Sequence, residues 1–271
     1  IHGGETTEGA IDEVIRHALT KMSHLHFTAT EMYRRRVIQL GERPDRVFNV
    51  GALGIDNIVG QELLGREELE LSLGFRFARP LFAVTYHPAT LGTLGAEPAM
   101  KALLDALDRF PGACCVFSSV NADPDGRVIR QMIEQFVARD SRRALAVPSL
   151  GQKRYLSLMR HADCVIGNSS SGILEAPALG VPTVNVGDRQ RGRLRPGSVI
   201  DCAEDEQAIA AAIARTLDPV FRQRELSATT PATTPYGDGQ AAPRIARVLL
   251  EHSLDGLLQK RFHDLAEVGN G

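Results

Sequence analysis

The segment Gly167-Asn-Ser-Ser-Ser-Gly-Ile-Leu-Glu-Ala-Pro-Ala-Leu-Gly-Val-Pro-Thr-Val-Asn-Val-Gly187 predicts a turn, a short helix and a strand. The apolar residues 164–166 before it are typical of a buried parallel strand. Ser169 opens the helix, Gly180 closes it, and residues 183–186 form the next strand. The first N–H groups of a helix are unpaired and lie at the positive end of its dipole, which favours a phosphate.

Side chains beside this turn extend the same interpretation. Ser169 and Ser170 add hydroxyl donors, and Glu175, about one turn further on, is placed to accept hydrogen bonds from a ribose diol. An ordinary helix N-cap in an α/β protein explains Ser-Ser-Ser-Gly equally well. The arginines at 189, 191 and 193 favour an anion site, although some of the alternating arginines are expected to be solvated surface. The segment therefore predicts a nucleotide-sugar pocket.

Composition places the chain among ordinary globular proteins. Its 271 residues are 43% hydrophobic and 24% charged, which argues against disorder. The net charge of −2 gives no reason to expect nucleic acid or an anionic membrane as a partner. No apolar run approaches the roughly 20 residues of a membrane span, and the four cysteines sit mostly in apolar runs, as reduced core thiols do. We therefore expect a cytoplasmic protein.

Strand and helix patterns alternate along the chain. This alternation predicts an α/β fold with parallel sheets covered on both faces. We predict a first domain over 1–75, a second domain over 76–251 that carries the predicted nucleotide-sugar pocket, and a tail over 252–271 that packs back on the first. The predicted helices cover 10–21, 31–40, 61–73, 98–109, 126–138, 152–162, 172–179, 204–216, 239–251 and 252–265.

Two positions in the sequence carry ionisable side chains of the types used in acid–base catalysis. His87 follows an apolar strand directly, where parallel sheets present catalytic groups, but a loop histidine satisfied by hydrogen bonds is the plainer interpretation. Asp12 and Glu13 open a helix, where acidic residues often do no more than complement the helix dipole. Arg16, one turn after Asp12, is spaced to pair with it.

Several further segments come in one order along the chain. They are His2-Gly-Gly-Glu-Thr-Thr-Glu-Gly9, Asp12-Glu-Val-Ile-Arg-His17, Lys21-Met-Ser-His-Leu-His-Phe27, Asp45-Arg-Val-Phe-Asn-Val-Gly-Ala-Leu-Gly54, Thr85-Tyr-His-Pro88 and Pro235-Tyr-Gly-Asp-Gly239. Together they resemble the UDP-N-acetylglucosamine 2-epimerase family, most closely its hydrolysing branch, which serves sialic acid and related nonulosonate synthesis. The resemblance covers nearly the whole chain and implies a GT-B-like fold, in which two Rossmann-like domains face each other across a cleft.

The resemblance also implies roles for individual residues. Asp12 matches a catalytic carboxylate of the family, and His87 matches a histidine in its cleft. His2 stands where many relatives have glutamate, so either His2 or nearby Glu5 takes the glutamate's role. The residues implied to bind the nucleotide are Ser169 and Ser170 for phosphate, Glu175 for ribose, Arg189 for the diphosphate, and Asn121, Ser149 and Tyr155 along the cleft. Asn121 lies in a stretch that is also an ordinary turn.

The implied chemistry needs two separately placed ionisable groups. One removes the proton at C2 while UDP leaves C1, and the other assists addition to the resulting glucal. This route needs no redox cofactor, and the histidines lack a third ligand at metal-site spacing, so we expect neither cofactor nor metal. A UDP-sugar is the expected partner, and the full-length protein is expected to form a homo-oligomer.

The beginning of the chain is unusual for such a fold. Ile1 starts inside a motif, whereas a doubly wound domain normally starts with a strand. Residues 1–58 hold few elements beside the roughly 100–150 residues of a usual domain. We therefore expect an N-terminally truncated domain. In the family, the part expected to precede Ile1 supplies an arginine and a serine for the phosphates and a catalytic aspartate.

Other functions are compatible with the same patterns. A non-hydrolysing epimerase would form a UDP-linked product, and an epimerase for a diacetamido-trideoxyhexose would act on a related sugar. A GT-B glycosyltransferase would share the nucleotide pocket but has no evident need for the Asp12 helix. A chain that lacks part of its first domain could also bind UDP without turnover.

Overall fold

The computed structural model describes residues 1–8, 12–88, 95–118, 126–227 and 234–265. The strands are β1 (His26–Thr28), β2 (Val47–Asn49), β3 (Leu81–Thr85), β4 (Cys114–Ser118), β5 (Ala144–Val147), β6 (Cys164–Gly167), β7 (Thr183–Val186) and β8 (Val199–Cys202). The helices are α1 (Asp12–Met22), α2 (Glu31–Gln39), α3 (Leu53–Gly60), α4 (Arg66–Leu73), α5 (Ala96–Asp108), α6 (Gly126–Arg139), α7 (Gly151–His161), α8 (Ser171–Ala178), α9 (Glu206–Leu217), α10 (Pro219–Ser227) and α11 (Ala241–Glu251).

Two parallel sheets organise the chain. β1 pairs with β2, and the larger sheet has the order β5-β4-β3-β6-β7-β8. The strand order reverses between β3 and β6, so consecutive crossovers leave this point in opposite directions. A crevice forms beyond the carboxyl ends of the strands at such a switch point, and ligands bind there. The structure therefore places the ends of β3 and β6, followed by His87 and Ser169, at the crevice.

The large sheet is buried on both faces, which explains its continuous apolar strands. One face packs on α5, α6 and α9 around residues such as Phe82, Leu103 and Ile213. The other face packs on α4 and α7 around Leu81, Leu158 and neighbouring apolar side chains.

Helix α11 packs on the small sheet rather than on the large one. Ala241 and Ile245 form one buried cluster with Phe27 and Val50. The chain therefore returns to its N-terminal part before residue 251, and the predicted division at residue 75 stays a proposal.

The structure differs from the predicted elements in several places. Helices α3 and α10 and strand β8 were not predicted, and the helix expected over 61–73 begins at Arg66. The helix predicted over 252–265 is wrong, because these residues form turns and irregular segments. They nevertheless contact the N-terminal part: Lys260 Nζ lies 2.9 Å from Glu42 Oε2, and Arg46 Nη2 donates to the Gly256 carbonyl at 3.0 Å. Within the described ranges, no helix combines the length and apolar character that crossing a bilayer requires.

Candidate functional site

A cleft of about 350 Å³ lies at the switch point and brings together four of the predicted site residues. His87 follows β3, Ser149 lies between β5 and α7, Tyr155 lies in α7, and Ser169 follows β6. These residues come from separate β–α connections, whose starts meet because the strands run parallel. The cleft is therefore assembled by the topology of the sheet.

Asn168 fixes the position of His87 in this cleft. Its Oδ1 accepts the His87 N–H, and its Nδ2 donates to the His87 carbonyl, both at 2.8 Å. The Asn168 carbonyl in turn accepts from Arg189 Nη1 at 3.2 Å and from Gln190 Nε2 at 2.8 Å. Sequence reasoning missed Asn168, although a buried amide directly after an apolar strand is a signal that could have found it.

A chain of hydroxyl groups lines the floor of the cleft. The Thr85 hydroxyl lies 2.6 Å from that of Ser118 and 3.1 Å from that of Tyr155. Burial raises the pKa of Tyr155, so its phenol stays protonated over the neutral range. The cleft thus offers hydrogen-bond donors to an oxygen-rich ligand.

A second cluster forms around the Glu5 carboxylate, whose side chain is only 3% exposed. Its Oε1 lies 2.5 Å from His2 Nδ1, and its Oε2 lies 3.3 Å from Arg193 Nη2 and 3.5 Å from Arg16 Nη1. Burial opposes ionisation, but the hydrogen bond from His2 and the charges of Arg193, His2 and Arg16 outweigh it and lower the pKa of Glu5. Glu5 is therefore a carboxylate with both oxygens engaged.

His2 itself adopts an uncommon backbone conformation, with φ of 63°. Its N–H donates to the Phe27 carbonyl of β1 at 2.8 Å, which holds the residue there. A non-glycine residue at positive φ costs on the order of 1 kcal/mol or more and is often found at functional sites. This backbone conformation is consistent with a functional role for the His2 imidazole.

Glu175 lies between the two groups of residues. Helix α8 begins in the cleft at Ser171 and carries Glu175, a half-buried side chain whose Oε2 has no hydrogen-bond partner among the described residues. Burial raises the pKa of Glu175, while the nearby charges of Arg193 and His2 oppose that rise. The carboxylate predicted to meet a ribose is therefore also a neighbour of the His2–Glu5 cluster.

Gly54 in α3 gives Glu175 its space, because a Cβ at this glycine would lie 2.7 Å from Glu175 Oε1. We expect Gly54→Ala to displace this carboxylate and weaken binding of the UDP that the resemblance implies by about tenfold, the loss of roughly one charge-assisted hydrogen bond. Titration calorimetry with UDP measures the effect. Gly60→Ala, in the same helix and facing open space, is the matched control, and equal affinities of the two variants would contradict the prediction.

The remaining predicted site residues differ in their exposure and in their contacts. Asp12 is exposed in the first turn of α1. Arg16, expected to pair with it, instead donates to the His2 carbonyl at 3.2 Å and approaches Glu5. Ser170 is the half-buried N-cap of α8, and Asn121 lies outside the described residues.

The arginines after β7 have separate environments. Arg191 is exposed and lies 3.3 Å from Glu8, and Arg195 lies 2.9 Å from Asp201. Arg193 is only 8% exposed and reaches the Glu5 cluster. Among the described residues no three His, Cys, Asp or Glu side chains are grouped as ligands for a metal ion.

The lowered pKa of Glu5 predicts that the free energy of unfolding depends on pH. Because its pKa is lowered from the ordinary 4.5, its ionised form stabilises the fold fully above that value, and this contribution is lost as the pH falls through the folded-state value. We expect Glu5→Gln to cost about 2 kcal/mol of unfolding free energy at pH 7 and less in acid. Urea denaturation between pH 3 and 7 measures the difference.

Glu8→Gln is the control for that series, because Glu8 is exposed and, within the described part of the chain, forms its ion pair with exposed Arg191. Surface ion pairs are worth about 0–1 kcal/mol. A pH-independent difference between the wild type and Glu5→Gln would show that the Glu5 charge does not contribute as the geometry requires.

Comparisons of this chain with known proteins give consistent results. A family model described as UDP-N-acetylglucosamine 2-epimerase matches residues 1–250. A Campylobacter jejuni protein named GDP/UDP-N,N'-diacetylbacillosamine 2-epimerase (hydrolyzing) is 44% identical over 73% of this chain and 52% of its own length. Polysialic acid biosynthesis protein P7 of Escherichia coli is 40% identical over 98% of this chain and 67% of its own length. The chain thus spans about half to two thirds of these relatives.

Solved structures share the fold. UDP-GlcNAc 2-epimerase from Neisseria meningitidis bound to UDP-GlcNAc has a TM-score of 0.75 at 19% identity, over 93% of this chain and 68% of that one. The S. aureus MnaA–UDP structure has a TM-score of 0.72 at 16% identity, over 98% and 70% of the two chains. The predicted GT-B-like α/β fold is confirmed.

Proposed function

This chain belongs to the UDP-N-acetylglucosamine 2-epimerase family, and from this premise we propose that it is a hydrolysing 2-epimerase of a UDP-linked 2-acetamido sugar. The observation that carries the proposal is the His2–Glu5 pair, in which a buried carboxylate holds a partly exposed imidazole. It supplies an oriented imidazole near Glu175, the carboxylate on the helix that begins in the cleft. The relatives named as hydrolysing enzymes support the same reaction class.

The proposed reaction has two steps that balance without a cofactor. A base takes the proton from C2, the C1–O bond breaks with its electron pair passing to UDP, and a C1=C2 double bond forms. Water then adds its oxygen to C1, and a proton is delivered to the opposite face of C2. The products are UDP and the free 2-epimeric sugar.

His2 and Glu5 are proposed to have different roles, because their contacts differ. Both oxygens of Glu5 are engaged, so Glu5 orients the imidazole through Nδ1 rather than reacting itself. The His2 side chain is 29% exposed, and its Nε2 is the atom left to transfer a proton. The arrangement repeats the carboxylate–imidazole logic of hydrolytic triads. Asp12 is proposed as the second carboxylate of the reaction.

The cleft is proposed to hold UDP. Ser169, Ser170 and Arg189 would take the phosphates, and Glu175 the ribose. His87, held by Asn168, would donate to the leaving phosphate, since an imidazole near neutral pH serves as acid or donor. Ser149, Tyr155 and Asn121 are proposed to lie along the nucleotide.

Two sugars are candidate substrates. UDP-N-acetylglucosamine would give N-acetylmannosamine, the sialic acid precursor, whereas a UDP-diacetamido-trideoxyhexose carries a second acetamido group. The Campylobacter and Legionella pneumophila relatives, 44% and 31% identical, are both named for N,N'-diacetylbacillosamine. We therefore propose the diacetamido sugar as the preferred substrate.

The test is product analysis by proton NMR in D₂O, with both UDP-sugars and with the Campylobacter relative as a positive control. The expected result is UDP and a free 2-epimer in equal amounts, with deuterium at C2. A UDP-linked epimer would indicate the non-hydrolysing reaction. UDP release with C2 unchanged, or transfer only to an added acceptor, would refute epimerisation.

A further inference from the structure

The tyrosine of Pro235-Tyr-Gly-Asp-Gly239 takes part in a closed ring of hydrogen bonds that the proposed reaction does not use. The Leu194 N–H donates to the Tyr33 hydroxyl at 3.1 Å, and the Tyr236 hydroxyl donates to the Leu194 carbonyl at 2.6 Å. The two hydroxyls lie 3.3 Å apart. Because the Tyr236 proton is already committed, Tyr33 is the donor between them. All bonds therefore run in one direction around the ring, which strengthens each.

This ring, here called the tyrosine clamp (Tyr33, Tyr236 and the Leu194 backbone), holds the peptide next to Arg193. Both tyrosine side chains are fully buried, so water does not compete for their hydroxyls. On the other side of Arg193, the Gly192 carbonyl accepts the Thr6 hydroxyl at 2.6 Å. The backbone of Arg193 is thus anchored on both sides.

Tyr33 also contacts the segment that carries Glu5. A Cβ at Gly4 would overlap the Tyr33 carbonyl, so the chain entering Glu5 lies directly on helix α2. Alongside, the Glu8 N–H donates to the Arg191 carbonyl at 3.1 Å. One tyrosine therefore lies against both segments whose side chains meet as the Glu5–Arg193 pair.

The Arg193 side chain pairs with Glu5 through Nη2, but this contact leaves its other nitrogens unsatisfied. Its Nε and Nη1 are buried without a partner among the described residues, and burying such donors costs free energy. The backbone anchored on both sides therefore acts together with the Glu5 ion pair to hold the side chain in this position. A side chain that the surrounding structure holds in an energetically unfavourable position is typical of a functional site.

We propose that the tyrosine clamp is a positioning device that holds Arg193 against Glu5 and so fixes the carboxylate that orients His2. The inference rests on the proposed function of the His2–Glu5 pair. It assigns Tyr33, Tyr236 and Arg193 as positioning residues that act on the reaction through Glu5.

The test compares Tyr236→Phe and Tyr33→Phe with Thr216→Val in the full chain. Thr216→Val removes a buried hydroxyl bonded to the Ile213 carbonyl in α9 and serves as the structural control. We expect each tyrosine variant to lower kcat by about 10- to 100-fold, the cost of a small misplacement, with KM changed less than about twofold. The acid limb of the pH–rate profile shifts to higher pH, because Glu5 loses part of the Arg193 charge.

Two further readouts separate positioning from loss of stability. In an Arg193→Met background, Tyr236→Phe causes no further fall in kcat, because the residue it positions is gone. In ¹⁵N-histidine NMR, Tyr236→Phe shifts the His2 ring signals, whereas Thr216→Val leaves them unchanged. Additive effects in the double variant, or unchanged His2 signals, would overturn the proposal.

The NMR readout does not depend on turnover. If the wild type releases no free epimer from either sugar while Tyr236→Phe still shifts the His2 signals, the proposed function fails and the clamp stands. If the wild type is active and Tyr236→Phe matches Thr216→Val in kcat and NMR, the clamp fails and the proposed function stands.

Discussion

His2→Asn lowers kcat by about 10²- to 10⁴-fold, the range expected when a general acid or base is removed. Asparagine tolerates the left-handed backbone that His2 adopts at φ 63°. Its short amide also places a donor near the Nδ1 position, so the bond to Glu5 Oε1 is retained. The variant therefore removes the group at Nε2 while disturbing the buried Glu5 cluster little. Release of free sugar under substrate saturation measures kcat.

His24→Asn is the matched control, since His24 lies in the bend before β1. UDP affinity, measured by calorimetry, is expected to stay within about twofold in both variants, because the proposed nucleotide contacts come from other residues. If His2→Asn retained kcat within a few fold, proton transfer would have to be assigned to Asp12, and the His2–Glu5 pair would be structural.

The sequence predicted those parts of the site that depend on local pattern. The β6–turn–α8–β7 unit has apolar strands around a run of small residues, and its elements are observed, with β6 and β7 adjacent inside the large sheet. The cleft follows from the same pattern, because parallel topology forces the carboxyl ends of strands to meet. His87 and Ser169 follow apolar strands and could be placed in the cleft on that basis, whereas Ser149 and Tyr155 were implied by the family resemblance.

Contacts between distant segments could not be predicted in this way. The sequence left open whether His2 or Glu5 reacts, because the answer depends on Arg193, which engages one oxygen of Glu5 from a segment distant in the sequence. Gly54 faces Glu175 for the same kind of reason. No local periodicity encodes either contact.

The helix predicted over 252–265 is wrong for the opposite reason: the local pattern is present, but no partner surface among the described residues buries it as a helix. Leu254, Leu258 and Phe262 have helical spacing, but Leu254 and Leu258 are largely exposed and Gly256 has a φ of 66°. An apolar stripe specifies a helix only where a partner surface buries it. Here polar contacts through Lys260 and the backbone around Gly256 hold an irregular chain instead, and the Phe262 ring lies against Lys21 and Gly41.

Gly167→Ala is expected to lower the free energy of unfolding by about 4 kcal/mol or more, among the largest effects of a single methyl group. Gly167 has a φ of 135°, which side chains rarely adopt, and an added Cβ would overlap the carbonyl oxygen of Thr85. Both residues belong to the paired strands β3 and β6, so neither backbone can move without breaking the ladder. Urea denaturation followed by circular dichroism measures the loss.

Gly180→Ala separates the two causes of that loss. Gly180 also has a positive φ, of 71°, but a Cβ there faces open space, so its expected cost is about 1–2 kcal/mol from conformation alone. The larger cost at Gly167 would then measure the collision with Thr85. Because Asn168 and Ser169 follow at once, any Gly167→Ala protein that folds is expected to hold His87 poorly and to bind UDP weakly. Equal costs for the two variants would show that the strand ends at the switch point yield, and that the cleft is not held rigidly by them.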